Sequence, residues 1–98
     1  MELRIQSINF DATDQLKGFI EKKTTKLKKF NEGIMEADVT LKVVKPETSK
    51  NKEASIKLKL NTGEAFAHKT ADSFEEAVDL CLEALEKQII KTKEKKER

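Results

Sequence analysis

Two hydrophobic periodicities, taken in their order along the chain, most constrain what it can fold into. Four short segments alternate apolar and polar residues, which is typical of strands with one buried face. Two longer segments repeat apolar residues every three or four positions, as amphipathic helices do. The strand-like segments include Leu3–Ile5, Ala37–Val43, Ala54–Leu60 and residues 64–69, and the helical segments follow Thr13 and Ser73.

This order predicts an α+β fold with the element sequence β-α-β-β-β-α. Each strand has one apolar face and each helix has one apolar stripe, so they can bury these surfaces against one another. We therefore expect one four-stranded, mainly antiparallel sheet with two helices on one face. The expected core stripes are Leu16, Phe19, Ile20, Thr24 and Leu27 in the first helix, and Phe74, Ala77, Val78, Cys81, Leu85, Gln88 and Ile89 in the second.

Local signals predict where the elements begin and end. Thr13 is a good N-cap residue for the first helix, and residues 73–76 form a capping box before the second, which should end near Lys93. Asn31-Glu32-Gly33 predicts the end of the first helix, and Asn61-Thr62-Gly63 predicts a turn. Residues 45–52 contain the only proline and predict a hairpin loop.

The phase of the fourth strand stays open. Phe66 and the pair Ala65 and Ala67 cannot both face the helices, because neighbouring side chains of a strand point to opposite faces. If the alanines face inward, Phe66 and His68 lie on the open face of the sheet near Lys57 and Lys59, where an aromatic ring can stack on a base. The alternative is that Phe66 packs in the core.

Length and composition limit the class of protein. We expect a single domain over residues 1–98, with a basic tail from about residue 94 to 98 that frays. The chain has one cysteine, so it forms no internal disulfide; its first ten residues lack the apolar run typical of a signal peptide, and no stretch approaches the roughly 18 apolar residues of a membrane span. We therefore expect a cytoplasmic protein with no membrane partner.

The charge of the chain is concentrated in two basic tracts. Residues 17–29 hold six lysines and one acid, and residues 87–98 hold six basic residues and two acids. The local charges are +5 and +4, although the whole chain carries only +2, because the remaining residues sum to −7. Two basic helical segments on one small domain favour binding to a polyanion such as nucleic acid.

The two tracts differ in how well an ordinary structural cause explains them. At about 100° per residue, Lys17, Lys22, Lys26 and Lys29 cluster opposite the core stripe of the first helix, with Gly18 and Thr25 among them. In the second helix, acids come first and lysines last, which also complements the helix dipole. The dipole does not explain Lys17 or Lys22.

The chain has few of the residues that commonly act in catalysis or ligand binding. His68 is the only histidine and has no partner at triad spacing, and Cys81 falls on an apolar helix side, as a small core residue does. The three glycines stand apart, so there is no glycine-rich phosphate loop. We expect no enzymatic activity, no cofactor, no metal site and no small-molecule substrate.

The sequence also resembles a known family. LRIQSINFDATDQLKGFIEKKTTKLKKF, VTLKVVK and SFEEAVDLCLEALEKQIIKTKEK are similar, in order and spacing, to segments of the bacterial ribosome hibernation-promoting factors and ribosome-associated inhibitors (light-repressed proteins). The resemblance covers nearly the whole chain and is to the short form, without the additional C-terminal domain of long members. It implies the same β-α-β-β-β-α fold.

The resemblance further implies a function and a set of site residues. Family members bind the small ribosomal subunit in the channel for mRNA and tRNA and silence idle ribosomes without chemistry. The rRNA-facing positions of the family correspond here to Lys23, Lys26, Lys29, Lys87 and Lys91, and Lys22 joins them by its charge. If ribosome dimers form, a separate dimerising factor or an effect on the subunit would be needed.

Two departures and one alternative accompany this interpretation. Ala84 stands where relatives often carry a lysine, and Glu75 replaces a tyrosine of the family pattern; Lys22 and Lys28 are candidates to compensate for the missing charge.

The alternative is a small protein-interaction module that uses its open sheet face or an edge strand and has no RNA ligand. Ile90, which points away from the predicted core, favours that alternative slightly.

Overall fold

The predicted order of elements is confirmed. A computed structural model of the chain describes residues 2–8, 10–30, 33–44, 51–61 and 63–96, and the side chains of Phe30 and of residues 91–96 are outside the description. The elements are β1 (Glu2–Ile8), α1 (Asp14–Phe30), β2 (Ile34–Val43), β3 (Lys52–Leu60), β4 (Gly63–Ala71) and α2 (Phe74–Lys96).

The four strands form one mixed sheet in the order β1-β2-β3-β4. β1 pairs with β2 in parallel, because α1 is the crossover between them, and the other two pairs are antiparallel. The backbone N–H of Val44 donates to the carbonyl of Asn51 at 2.9 Å and closes the base of the predicted β2–β3 hairpin. Residues 45–50 of its loop lie outside the described residues.

The β3–β4 hairpin closes at the pair Leu60 and Gly63. Gly63 has φ 147°, a backbone conformation that favours glycine, and this supports the predicted turn. Thr62 within that turn and residues 31–32 at the predicted end of α1 lie outside the described residues.

Strand register brings the apolar residues onto one face of the sheet. Val39 lies opposite Ile5 on one side and Ile56 on the other, and Ile56 in turn lies opposite Ala67. Ala67 is buried and Phe66 is 55% exposed, so the alanines of β4 face the core. The open question of the β4 phase is thereby settled.

Both helices cover this apolar face. α2 packs on β3 and β4, and the Cys81 thiol donates to the carbonyl of Ala54 at 3.2 Å. α1 lies on the β1 side, where Lys17 and Glu21 line a concavity with Leu3. The core joins residues of all six elements, so a single packed layer lies between helices and sheet.

The predicted core stripes are largely confirmed. Leu16, Ile20, Thr24 and Leu27 are buried in α1, and Phe74, Ala77, Val78, Cys81, Leu82, Leu85 and Ile89 are buried in α2. Phe19 and Gln88 are only half-buried. Leu82 was not predicted to be buried; it lines the junction of the two helices, which the spacing within one helix cannot reveal.

The predicted helix starts are confirmed by their capping hydrogen bonds. The Thr13 hydroxyl accepts from the Leu16 N–H at 3.1 Å, and the Ser73 hydroxyl accepts from the Glu76 N–H at 3.2 Å. α2 continues to Lys96, three residues beyond the expected end, because no glycine or proline interrupts its last turns. Of the tail expected to fray, residues 97–98 lie outside the described residues.

A side chain of α2 covers the backbone of an edge strand. The Gln88 amide donates to the Phe66 carbonyl at 2.8 Å, and its oxygen accepts from the Phe66 N–H at 3.3 Å. The amide thus occupies the place that a further strand would take along β4. This contact fixes α2 against the sheet directly beside Lys87.

None of the described helices is long and apolar enough to cross a membrane. This finding agrees with the low mean hydropathy of the chain, −0.66. The apolar residues of both helices instead face the sheet, where they contribute to the core.

Burial of Cys81 predicts a specific pH dependence of stability. Burial raises the pKa of its thiol from 9.0 to about 11. The folded protein therefore keeps a proton that the unfolded chain releases, so this stabilisation is complete below about pH 9 and is lost as the pH rises through about 11. Between about pH 8 and about pH 10, we expect the free energy of urea unfolding to fall by about 1 kcal/mol more in the wild type than in Cys81→Ala. Parallel pH profiles for the two proteins would contradict this prediction.

Candidate nucleic-acid interface

Three lysines share the outer side of α1. Because the opposite side of this helix is buried against the sheet, Lys22, Lys26 and Lys29 are held in solvent. They line one shallow concave surface together with Gly18 and Thr25. We call Lys22, Lys26 and Lys29 the α1 lysine face.

The α1 lysine face is not neutralised from within the described part of the molecule. None of the carboxylates that the structure describes forms an ion pair with Lys22, Lys26 or Lys29. Residues three and four apart are neighbours on a helix, so these lysines repel each other by a few tenths of a kcal/mol per pair, roughly. A bound polyanion would remove this repulsion.

The other lysines of α1 have different roles. Lys17, which helical periodicity places with the outer lysines, instead lies toward β1 in a concavity with Leu3 and Ile5. Lys28, a candidate to compensate for Ala84, donates from its ammonium to the carbonyl of Ile34 at 2.9 Å. Its charge is therefore already engaged in holding the end of α1 against the start of β2.

Lys23 lies at the edge of the core. Its ammonium is 3.5 Å from a carboxylate oxygen of Asp79 in α2 and 5.5 Å from the centroid of the Phe19 ring. The aliphatic part of Lys23 is half-buried while its charge stays at the surface. An RNA phosphate would compete with Asp79 for this ammonium.

A groove runs between α1 and α2, and a row of acids lines its α2 side. Lys23 and Lys26 line one part of this groove, and three carboxylates from α2 line the other. We call these three carboxylates the acidic wall: Asp79, Glu83 and Glu86. Acidic side chains therefore separate the basic surfaces of the two helices along this groove.

The two helices run in the same direction. Lys23 contacts Asp79, and the later residue Leu27 of α1 shares the groove with the later residues Leu82 and Glu86 of α2. The C-terminal ends of both helices therefore lie toward the same end of the sheet. The basic ends of α1 and α2 thus lie toward the same end of the molecule, and the acids of α2 line the groove farther back.

The predicted site residues of α2 lie at that end. The ammonium of Lys87 is 3.8 Å from the carboxylate of Glu83, and the Lys87 side chain is 76% exposed. Such a surface pair contributes roughly 0.3–0.5 kcal/mol, so it leaves Lys87 available to another anion. Lys91 belongs to α2 by its backbone, one turn farther on, and its side chain is outside the described residues.

The open face of the sheet has a different electrostatic character. Lys57 is 3.1 Å from Glu64, and Lys59 is 3.8 Å from Glu36. Phe66 is exposed opposite Lys57, as expected when Ala65 and Ala67 face the helices. The lysines beside this aromatic ring are therefore paired with acids, unlike the lysines of the α1 lysine face.

His68 and Cys81, the two remaining residues with reactive side chains, do not lie in a shared site. His68 is exposed on the open face and contacts Glu53, and Cys81 is buried in the core. Among the described residues, no group of three or more histidine, cysteine, aspartate or glutamate side chains is arranged to hold a metal ion.

Gly18 is unusual among the residues beside the α1 lysine face. It lies in the interior of α1, where a glycine costs about 1 kcal/mol relative to alanine. A Cβ atom added at Gly18 would have no heavy atom within 4 Å. Nothing in the described part of the molecule therefore requires a glycine at this position.

The chain as a whole matches a known class of ribosome-associated proteins. Residues 3–97 match the family of the sigma 54 modulation protein / S30EA ribosomal protein. The chain belongs to this family, and the resemblance found in the sequence is confirmed. Comparison with curated proteins gives no match.

Two solved structures are similar to this chain. The N-terminal domain of Protein Y from Thermus thermophilus has a TM-score of 0.77 and 23% identity, with 91% of this chain and 96% of that chain covered. A ribosomal subunit interface protein from Coxiella burnetii has a TM-score of 0.83 and 22% identity, with 95% and 98% covered. At these identities, both likenesses establish the fold.

The acidic wall should limit the affinity for polyanions. At about 10 Å in water, each carboxylate repels a phosphate by roughly 0.4 kcal/mol. The variant Asp79→Asn with Glu83→Gln should therefore bind a labelled single-stranded RNA about fourfold more tightly in an anisotropy titration at low salt. Its free energy of unfolding should stay within about 1 kcal/mol of wild type, because the lost ion pairs are exposed.

A matched control removes the same charge from the other side of the sheet. Glu2→Gln with Asp38→Asn changes two carboxylates on the open face, next to Arg4. If this control raises RNA affinity as much as the acidic-wall variant, only net charge matters, and the proposed local effect of the wall is refuted.

Proposed function

We propose that this protein is a cytoplasmic, non-enzymatic ribosome hibernation factor that binds the small ribosomal subunit through its α1 lysine face. The observation that carries the proposal is the contrast between the two sides of the molecule. Lys22, Lys26 and Lys29 form no ion pair with any described carboxylate, whereas Lys57 and Lys59 on the open face are paired. Family membership supports the ribosome as the source of the polyanion.

The proposed mechanism needs no covalent step. The α1 lysine face would contact rRNA phosphates, and the bound protein would occupy the channel that mRNA and tRNA otherwise use. Phosphate contacts do not distinguish one base sequence from another, so specificity would come from the fit of a rigid helix surface to folded rRNA. The Coxiella burnetii relative is named a ribosomal subunit interface protein, which supports the same location for this chain.

The basic ends of the two helices would extend this contact. Because α1 and α2 run in the same direction, Lys87 and Lys91 lie toward the end of the molecule at which α1 finishes with Lys29. The acidic wall would keep phosphates out of the groove between the helices. We therefore infer that the rRNA backbone follows the outer side of α1 and reaches Lys23, Lys87 and Lys91 from the edges of the groove.

Charge reversal at two proposed contacts should weaken ribosome binding. Lys26→Glu with Lys87→Glu replaces two attractions with two repulsions, so we expect cosedimentation with purified small subunits to weaken at least about tenfold. The thermal midpoint should change by no more than about 2 °C, because both side chains are exposed. Normal binding by this variant would refute the proposed surface.

The matched control reverses two lysines on the open sheet face. Lys57→Glu with Lys59→Glu makes the same change in net charge and should bind small subunits within about twofold of wild type, since it removes none of the proposed contacts. If the control loses binding and the helix variant does not, the open face is the interface, as the protein-interaction alternative predicts.

Binding should also depend steeply on salt. About six phosphate contacts predict that the logarithm of the binding constant falls by about four per tenfold rise in salt concentration, with the coefficient for single strands. The measurement is a titration of labelled protein with small subunits at several concentrations of potassium chloride, at constant magnesium. A slope near zero would contradict an interface built on lysine–phosphate contacts.

A further inference from the structure

Gly18 destabilises α1, and no contact within the described structure requires a glycine there. It lies on the exposed side of α1, with helical backbone and with free space where a side chain would be. In such a position alanine gives a more stable helix than glycine, because glycine loses more conformational freedom on folding. The usual reasons for a glycine, a left-handed backbone or a close internal neighbour, do not apply to Gly18.

The location of Gly18 suggests an external cause. It is one helical turn before Lys22, and residues four apart are neighbours on the same side of a helix. It lines the same concave surface as Lys22, Lys26 and Lys29. The lysine row therefore continues, at its N-terminal end, into a patch where only helix backbone meets solvent.

We propose that Gly18 is a positioning residue of the ribosome-binding surface: the missing side chain lets the sugar–phosphate backbone of rRNA lie directly against α1. Close approach at Gly18 would bring a phosphate within reach of the Lys22 ammonium one turn farther along. The inference rests on the proposed function, because it assumes that the polyanion on the α1 lysine face is rRNA. It adds a steric requirement to a surface otherwise defined by charge.

This role predicts opposite effects on stability and binding. Gly18→Ala should raise the thermal midpoint by about 4 °C, because it removes a helix-breaking residue from an exposed position. The same variant should bind small subunits about fivefold more weakly, the low end of the effect of overpacking a close contact. Gly18→Leu, also a good helix former, should stay at least as stable as wild type and bind still more weakly.

Gln15→Ala is the matched control for helix stabilisation. Gln15 is exposed in α1 and does not line the concave surface of the α1 lysine face, and its change to alanine raises helix propensity without changing the charge. We expect a thermal midpoint at least as high as that of wild type, with unchanged affinity for small subunits. If Gln15→Ala weakens binding as much as Gly18→Ala, stiffening of the helix explains both results, and the steric role of Gly18 is refuted.

The outcomes separate this inference from the proposed function. If wild type binds small subunits, Lys26→Glu with Lys87→Glu weakens binding, and both Gly18 variants bind like wild type, then only the inference fails. If wild type does not bind small subunits at all, both the function and the inference fail. Graded weakening from glycine to alanine to leucine, with stability maintained, supports the inference.

Discussion

The rest of the structure depends on the single apolar face of the sheet. Register places Leu3, Ala37, Leu58 and Ala65 in one line across four strands, and this face is stable only when both helices cover it. Covering it fixes the rotation of each helix about its axis. Lys22, Lys26 and Lys29 therefore point into solvent because the leucines and isoleucine of the same helix must be buried, not because these lysines contribute to stability.

This constraint separates two kinds of charged surface. On the open sheet face, basic side chains are matched by acids on neighbouring strands, as in the contacts of Arg4 with Glu2 and Glu36. On the outer side of α1, the lysines repel each other, and the hydrophobic core offsets that small cost. The acidic wall of α2 then confines the positive surface to the outer side and the C-terminal ends of the helices.

The sequence predicted what depends on spacing within one element and missed what depends on contacts between elements. Alternation and helical periodicity predicted the order of elements, the stripe from Leu16 to Leu27 and the capping residues. The β4 phase could not be predicted, because alanines on one face and Phe66 on the other are both compatible with burial. The contact of Lys23 with Asp79 and the hydrogen bond of Lys28 to Ile34 join distant parts of the chain. The periodicity of α1 alone therefore could not show that Lys23 and Lys28 have partners in other elements.

We propose that rRNA contacts this protein on the outer side of α1. The most direct test is an electron cryomicroscopy map of this protein bound to small ribosomal subunits, at a resolution that shows side chains. We expect the map to show the ammonium groups of Lys22, Lys26 and Lys29 within about 3 Å of rRNA phosphate oxygens, with the open sheet face turned away from them. A complex in which Phe66 and Lys57 contact the rRNA while α1 faces solvent would contradict it.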